Sequence, residues 1–228
     1  MLTGIKKYFN NQISRDRFVL RHLAALPKGV TVLDAGAGSQ RYRSHCRELD
    51  YKAQDFGKVT VDQSRGFAAL QSNYEYGPLD YVCDITQIPA ADGIFDAVLC
   101  TEVFEHIPDP IAALRELSRL LKPGGSLILT VPANCLRHFD PYFFYSGFSD
   151  HWLRHWLEQT GLELVEFEQD GNYFQWIALE IARSGKRYPL ALPFLAPAFL
   201  WYYLKSLRPT QEARATLCGG YHVCARKR

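Results

Sequence analysis

Short apolar runs alternate with segments of helical period along this chain. Residues 30–33 lead into Asp34 and two glycines, residues 50–55 and 80–85 are strand-like stretches closing on Asp55 and on Asp84 and Ile85, and residues 95–100 and 126–132 are almost wholly apolar. Runs of this length bounded by turn residues are the pattern of strands buried in a parallel sheet. After the fourth run, Asp109-Pro110 supplies a cap and a first-turn proline. Ile111, Leu114, Leu117 and Leu121 then make the buried stripe of a helix that Lys122-Pro123-Gly124-Gly125 stops. Upstream, Ser14 is placed to cap a helix whose Phe18, Val19, His22, Leu23 and Leu26 share one face and which ends before Pro27. That helix is expected to cover the sheet edge or the mouth of a ligand site. Further helices are predicted over 42–49 and near 67–71. The alternation predicts an α/β fold whose parallel sheet is covered by helices on both faces.

The loop Asp34-Ala35-Gly36-Ala37-Gly38 organises the rest. Gly36 and Gly38 lack a β-carbon, so they accept left-handed backbone and admit a ligand close to the main chain. A β-carbon at Gly36 is expected to fall in ligand space, and the N–H groups of the following helix turn are expected to be free to donate. A dinucleotide pyrophosphate usually wants G-x-G-x-x-G, but Arg41 stands in the third glycine's place, which counts against nicotinamide. Asp55 lies 17 residues past Gly38, about where a βαβ unit delivers an acid to the neighbouring strand tip to accept from ribose hydroxyls. Its plainer reading is a solvated loop acid. Open sheets bind ligands along the carboxyl edge, so Asp34, Asp55 and Asp84 are expected to meet one nucleoside-like ligand.

Composition narrows the picture. The 228 residues, 47% hydrophobic, suffice for one α/β domain with an insertion, and no linker or repeat divides them. A formal net charge of +2 with interspersed signs gives no argument for a nucleic-acid partner. No apolar signal-peptide core follows the first residues, so a cytoplasmic protein is expected. Six cysteines show no C-x-x-C pair, and Cys83 and Cys100 sit in apolar runs as small hydrophobes. His151 and His155 stand four apart behind a Ser149 cap, but no third ligand is patterned; the reading is a helix with one aromatic face, and no metal is expected.

Val32-Leu33-Asp34-Ala35-Gly36-Ala37-Gly38, the run 95–100 with Glu102-Val103-Phe104-Glu105-His106, and Arg119-Leu120-Leu121-Lys122-Pro123-Gly124-Gly125 together resemble the class I S-adenosylmethionine-dependent methyltransferases, of the bacterial type 11-like kind. The likeness covers residues 30–132, the cofactor-binding core. It implies a Rossmann-like, mostly parallel seven-stranded sheet with residues 162–167 as the sixth strand and residues 221–225 as an antiparallel last strand. An N-terminal helical segment over 1–27 and a hydrophobic helical insertion over 170–218, between strands six and seven, complete a single domain over 1–228. The cofactor implied is S-adenosyl-L-methionine. Its methionine part would lie at Gly36, Ala37 and Gly38 beside Asp34, its ribose at Asp55 and its adenine at Asp84 and Ile85, with Thr101 and Glu102 completing the set. The activity implied is methyl transfer to a small-molecule or lipid- or saccharide-linked acceptor, through an oxygen nucleophile. The alternative is a non-catalytic cofactor-binding subunit that supports another methyltransferase.

A sulfonium methyl needs alignment rather than a nucleophilic side chain, and an alcohol or phenol acceptor gains from a general base. His106, His138, Asp140 and Tyr145 follow strands four and five and are the candidates. His106 has a second reading as a cap or packing group, and His138 as hydrogen-bonded loop structure. Tyr142, Phe143, Phe144, Tyr145 and Phe148 either wall an acceptor pocket or plug the sheet end. Residues 188–204 carry no charge between Arg187 and Lys205. They only reach the lower limit of about 17 residues for a membrane span, and Pro189, Pro193 and Pro197 would remove helix hydrogen bonds that lipid cannot replace, so no span is expected. A helical hairpin from about Asn172 is expected to present Phe194, Leu195, Phe199, Leu200 and Trp201. These either pack within the domain or a dimer interface, or enter a membrane surface with Lys186, Arg187, Lys205 and Arg208 on anionic lipid.

Overall fold

The structure, a computed structural model, describes residues 10–57 and 76–228. A seven-stranded sheet forms its centre: β1 (Thr31–Ala35), β2 (Asp50–Asp55), β3 (Tyr81–Val82), β4 (Phe95–Thr101), β5 (Leu121–Pro132), β6 (Leu162–Asp170) and β7 (Gly220–Lys227), in the order β3-β2-β1-β4-β5-β7-β6. β1 to β5 pair in parallel, and β7 enters antiparallel between β5 and β6. The central strands are apolar on both faces because both are covered. Leu33, Val98, Leu127 and Leu129 share a core with Leu114 and Leu117 of α2 (Pro110–Leu120) and Leu153 and Leu157 of α3 (Asp150–Gln159). On the opposite face Val32, Ala97, Leu99 and Ile128 meet Phe18, Val19 and Leu23 of α1 (Asn11–Ala24).

Sequence and structure part company in three places around β1 to β3. α1 begins one turn before Ser14, because the Asn10 side chain accepts from Gln12 N–H at 3.1 Å and supplies the cap. The helix predicted over 42–49 is only a 3-10 turn, Arg43–His45. Tyr42 and Cys46 pack with Phe18, Val19 and Leu23, so α1 occupies the layer that a crossover helix between β1 and β2 would fill. β3 shrinks to two residues, which leaves Asp84 and Ile85 in the loop beyond it. The short helix expected near 67–71 lies outside the described residues.

Between β6 and β7 the expected hairpin is formed by α4 (Tyr173–Arg187) and α5 (Leu192–Ser206), followed by α6 (Gln211–Thr216). Asn172 ties its two ends together. Its Oδ1 accepts from Gln175 N–H and its Nδ2 donates to the Ser206 carbonyl, each at 3.2 Å. Gly185 allows the helices to close on each other, since a β-carbon there would lie 2.9 Å from Leu192 Cδ2. In α5 itself Ser206 is the sole buried residue, while Phe194 is 83% exposed and Leu190, in the connecting turn, 94%. Among the described residues no helix is long and apolar enough to cross a membrane.

Candidate functional site

A cavity of about 740 Å³ opens at the carboxyl ends of β1, β2 and β4, within the range usual for small-ligand sites. Of the cofactor candidates, Gly36, Ala37, Gly38, Asp55, Asp84, Ile85, Thr101 and Glu102 line it. The glycine loop is cross-tied to β2. Gly36 N–H donates to Gln54 Oε1 (3.1 Å), Ala37 N–H to the Gln54 carbonyl (2.9 Å) and Gly38 N–H to Asp55 Oδ2 (2.9 Å). These three N–H groups are committed to holding the loop in place. Gly36 has φ +72°, and a β-carbon on it would meet Val103 Cγ2 at 2.4 Å. The obstacle is a neighbouring side chain, not the ligand space predicted from sequence.

Asp34 does not line the cavity. It is buried below the loop, where Tyr51 Oη–H donates to its Oδ2 at 2.6 Å. Burial pushes its carboxyl up to about 7, against the Tyr51 hydrogen bond, and nearby Asp55 adds to the rise. Asp34 thus holds β1 to β2 rather than reaching the ligand edge. Arg41, in the place of the third glycine, grips Asp16 of α1 with Nε and a terminal nitrogen (2.9 and 2.5 Å). The same α1 delivers Arg15 to the cavity, where it pairs with Glu102 Oε2 at 2.9 Å while Thr130 Oγ1–H donates to Glu102 Oε1 at 3.0 Å. Glu102 adopts φ +52°, a strained conformation for a non-glycine residue, directly after β4. Arg15 Nε is buried without a partner among the described residues. Sequence reasoning missed Arg15 and Gln54: one arginine on an amphipathic helix carries no motif, and Gln54 acts through its place beside Asp55.

At the far end of the cavity lie His106, on the 3-10 turn Phe104–His106, and His138, with ring centroids 4.8 Å apart. His106 Nδ1–H donates to the Tyr142 carbonyl at 2.7 Å and His138 Nδ1–H to the Leu136 carbonyl at 2.8 Å, so each ring is oriented through Nδ1. Burial pushes His106 down to about 4, the Tyr142 carbonyl opposes this and His138 adds to it, so the ring is neutral at pH 7. Beside it, burial first and then Glu102 hold the Glu105 carboxyl well above its ordinary range. Tyr145 and Asp140, expected as bases, are turned away from this space. Tyr145 Oη–H donates to the Pro108 carbonyl at 2.9 Å and Asp140 is taken by Arg137 at 2.9 Å. The aromatic cluster divides: Tyr142 and Phe144 wall the cavity, whereas Phe148 packs in the core against Phe104 and Trp152. Gln175, Trp176, Leu179 and Arg183 of α4 close the side nearest the hairpin. His151 and His155 are exposed on α3, away from the cavity.

Comparison with known proteins agrees with this geometry. Residues 33–129 match a family described as a methyltransferase domain. A ubiquinone biosynthesis O-methyltransferase of Xanthomonas campestris pv. campestris is 38% identical over 110 residues, covering 46% of this chain; the match spans 44% of that protein, less than half its length. Among solved structures, a putative methyltransferase from Bacillus halodurans superposes with a TM-score of 0.52 at 22% identity, over 91% of this chain and 96% of that one. A Burkholderia thailandensis 1,6-didemethyltoxoflavin-N1-methyltransferase, with S-adenosylhomocysteine and its substrate bound, does so with 0.54 at 16%, over 94% and 76%. At these identities the two structures show the fold. The likeness over residues 33–129 is thus to a methyltransferase domain, and the Burkholderia enzyme of the same fold holds S-adenosylhomocysteine, the demethylated form of S-adenosylmethionine.

Proposed function

We propose that this protein transfers the methyl group of S-adenosyl-L-methionine to an oxygen of a small-molecule or lipid- or saccharide-linked acceptor. One observation carries the reading: a single cavity runs from the glycine loop, Asp55 and Asp84 to the His106–His138 pair and on to α4. The cofactor fits the near end. Gly36 and Gly38, at φ +72° and +52°, bring bare backbone to the wall, Asp55 offers acceptor oxygens for a ribose, and Asp84 with Ile85 form the place for the adenine. Arg15, with an unpartnered buried Nε, suits the carboxylate of the methionine part. Bound S-adenosylmethionine supplies an activated methyl, so the protein's task is to hold an acceptor oxygen in line with it. The acceptor hydroxyl loses its proton at the end of the cavity lined by His106 and His138.

The acceptor class is read from the hairpin. Leu190, Phe194, Trp201 and Leu204 are exposed, Lys205 lies over the Trp201 ring at 4.9 Å, and Lys186, Arg187 and Arg208 flank the patch. Apolar side chains ringed by cations fit an anionic membrane surface, and α4 shares its other face with the cavity. Such a seat presents the cavity to an acceptor held in the lipid. The deciding experiment incubates the protein and isotopically methyl-labelled cofactor with lipid and aqueous extracts and seeks a labelled product by mass spectrometry. Tight cofactor binding in titration with no labelled product in any fraction would favour the non-catalytic subunit. Flotation with anionic vesicles tests the seat: Phe194→Asp with Trp201→Asp should abolish co-flotation, and unchanged flotation removes the membrane contact.

A further inference from the structure

We infer that Glu105, His106 and His138 hold a divalent transition-metal ion at the acceptor end of the cavity. One carboxylate oxygen and one ring nitrogen from each histidine lie within 4.8 Å of one another. Glu105 Oε1 is 3.6 Å from His106 Nε2, close to the separation of two ligands each about 2.0–2.2 Å from one zinc ion, and His138 completes the set within 4.8 Å. The histidines are oriented as metal ligands are. Each gives its Nδ1–H to a backbone carbonyl, which fixes the tautomer and turns the Nε2 lone pair out. The second observation is independent of ligand spacing: the Glu105 side chain is only 2% exposed, and its Oε2 has no hydrogen-bond partner among the described residues. A buried carboxylate oxygen without a donor is costly, and a cation is the partner that would satisfy it.

The site is also braced. The Glu105 carbonyl accepts from Phe144 N–H at 2.9 Å and Tyr145 N–H at 3.2 Å, so the turn bearing Glu105 and His106 is fastened to the loop after His138. Glu102, three residues earlier, is not a ligand, because Arg15 and Thr130 already occupy its two oxygens. Two imidazoles and one carboxylate favour zinc, cobalt, manganese or iron over magnesium or calcium. Three protein ligands leave a position open. Resting on the proposed methyl transfer, that position takes the acceptor hydroxyl. Metal binding lets its O–H bond break with the proton passing to water; an O–CH₃ bond then forms as the S–CH₃ bond of the cofactor breaks, releasing S-adenosylhomocysteine.

The test uses full-length protein stripped with a chelator and titrated with Co²⁺, whose absorption separates nitrogen and oxygen ligands from the thiolates of the free cysteines. One equivalent should bind without a thiolate charge-transfer band. Glu105→Gln and His138→Ala should each weaken binding at least about 100-fold, more than the loss of a supporting outer partner, while His155→Ala leaves it unchanged. His138 sits on a half-buried loop, so its variant keeps the test valid if Glu105→Gln fails to fold. Absence of stoichiometric binding, a thiolate band, or binding unchanged in His138→Ala overturns the inference. Metal-free protein that still methylates at full rate would overturn the role given to the ion but leave the methyl-transfer reading intact. Stoichiometric binding by a protein that methylates nothing would uphold the site and sink that reading.

Discussion

The two ends of the cavity are built on different terms. At the cofactor end the polar groups other than Arg15 Nε are largely cross-tied: three consecutive loop N–H groups are anchored on Gln54 and Asp55, Gln54 Nε2 donates onward to the Cys83 carbonyl at 2.7 Å, and Glu102 is fixed by Arg15 and Thr130. At the acceptor end rings pack on rings, two histidines are oriented through Nδ1, and Glu105 Oε2 goes unmatched among the described residues. A network with its hydrogen bonds made holds one geometry for an invariant ligand, while unused capacity marks where a variable partner has to supply the contact. The contrast makes backbone perturbation the most damaging change at one end and side-chain removal the most damaging at the other.

The largest effect is expected at Gly36. Gly36→Val forces a non-glycine residue into left-handed backbone at roughly 1–2 kcal/mol and drives its β-carbon into Val103 at roughly 1–3 kcal/mol more. Thermal unfolding should show the loss and titration should show no binding of S-adenosylmethionine. Adding Val103→Ala should restore the part due to overlap. If the single variant melts and binds like the parent, the cofactor end is not the rigid half described here.

That contact also shows where the sequence stopped being informative. The strands were legible because parallel strands covered on both faces need unbroken apolar runs, and the hairpin because the uncharged stretch 188–204 stands between the sixth and seventh strands. The crossover helix was misread because a glycine loop ordinarily leads into one, and nothing local in residues 42–49 says that α1 already fills the layer. At the site, Gly36, Gly38, Asp55 and Asp84 were readable from spacing against strand ends. Asp34 and Tyr145 were not, since a side chain's choice between a cavity and the Tyr51 hydroxyl or Pro108 carbonyl is set by tertiary neighbours. Arg15 arrives from a helix that precedes the motif and had no pattern to betray it.

At the acceptor end the sharpest change is His138→Ala. Turnover should fall about 10²-fold or more, the usual scale for loss of a proton-handling group, with cofactor affinity held within about twofold because His138 stands apart from the glycine loop. Comparing kcat with the titrated Kd checks this. Equal losses in both would mean that the two ends are one structural unit. A smaller effect of opposite kind is expected from Asp55→Ala, which removes the acceptor for Gly38 N–H and a charged partner for the ribose. At about 1.5–3 kcal/mol for such a bond, affinity should drop roughly 10- to 100-fold with kcat at saturating cofactor little changed. Affinity equal to the parent would leave Asp55 as a loop brace alone.

The smallest effect tests whether the ties of the cofactor end reach as far as α1. The Arg41 hydrogen bonds come first among the causes that hold Asp16 down to about 2 from 3.8, with Gln12 and Tyr42 helping and partial burial opposing. The sign follows from the depressed folded value: the carboxylate contributes stability above about pH 4 and loses it as pH falls toward 2. The side chain is 23% exposed, so solvent screening reduces the contribution to about 1 kcal/mol. Asp16→Asn should therefore lower the melting temperature by a few degrees at pH 7 and flatten the decline in stability between pH 4 and 2. Because Arg41 lines the cavity, the same variant should weaken S-adenosylmethionine binding a fewfold while leaving Co²⁺ affinity at the histidine end untouched. A matching loss at both ends would show that α1 braces the whole cavity and that the division between its halves is not mechanical.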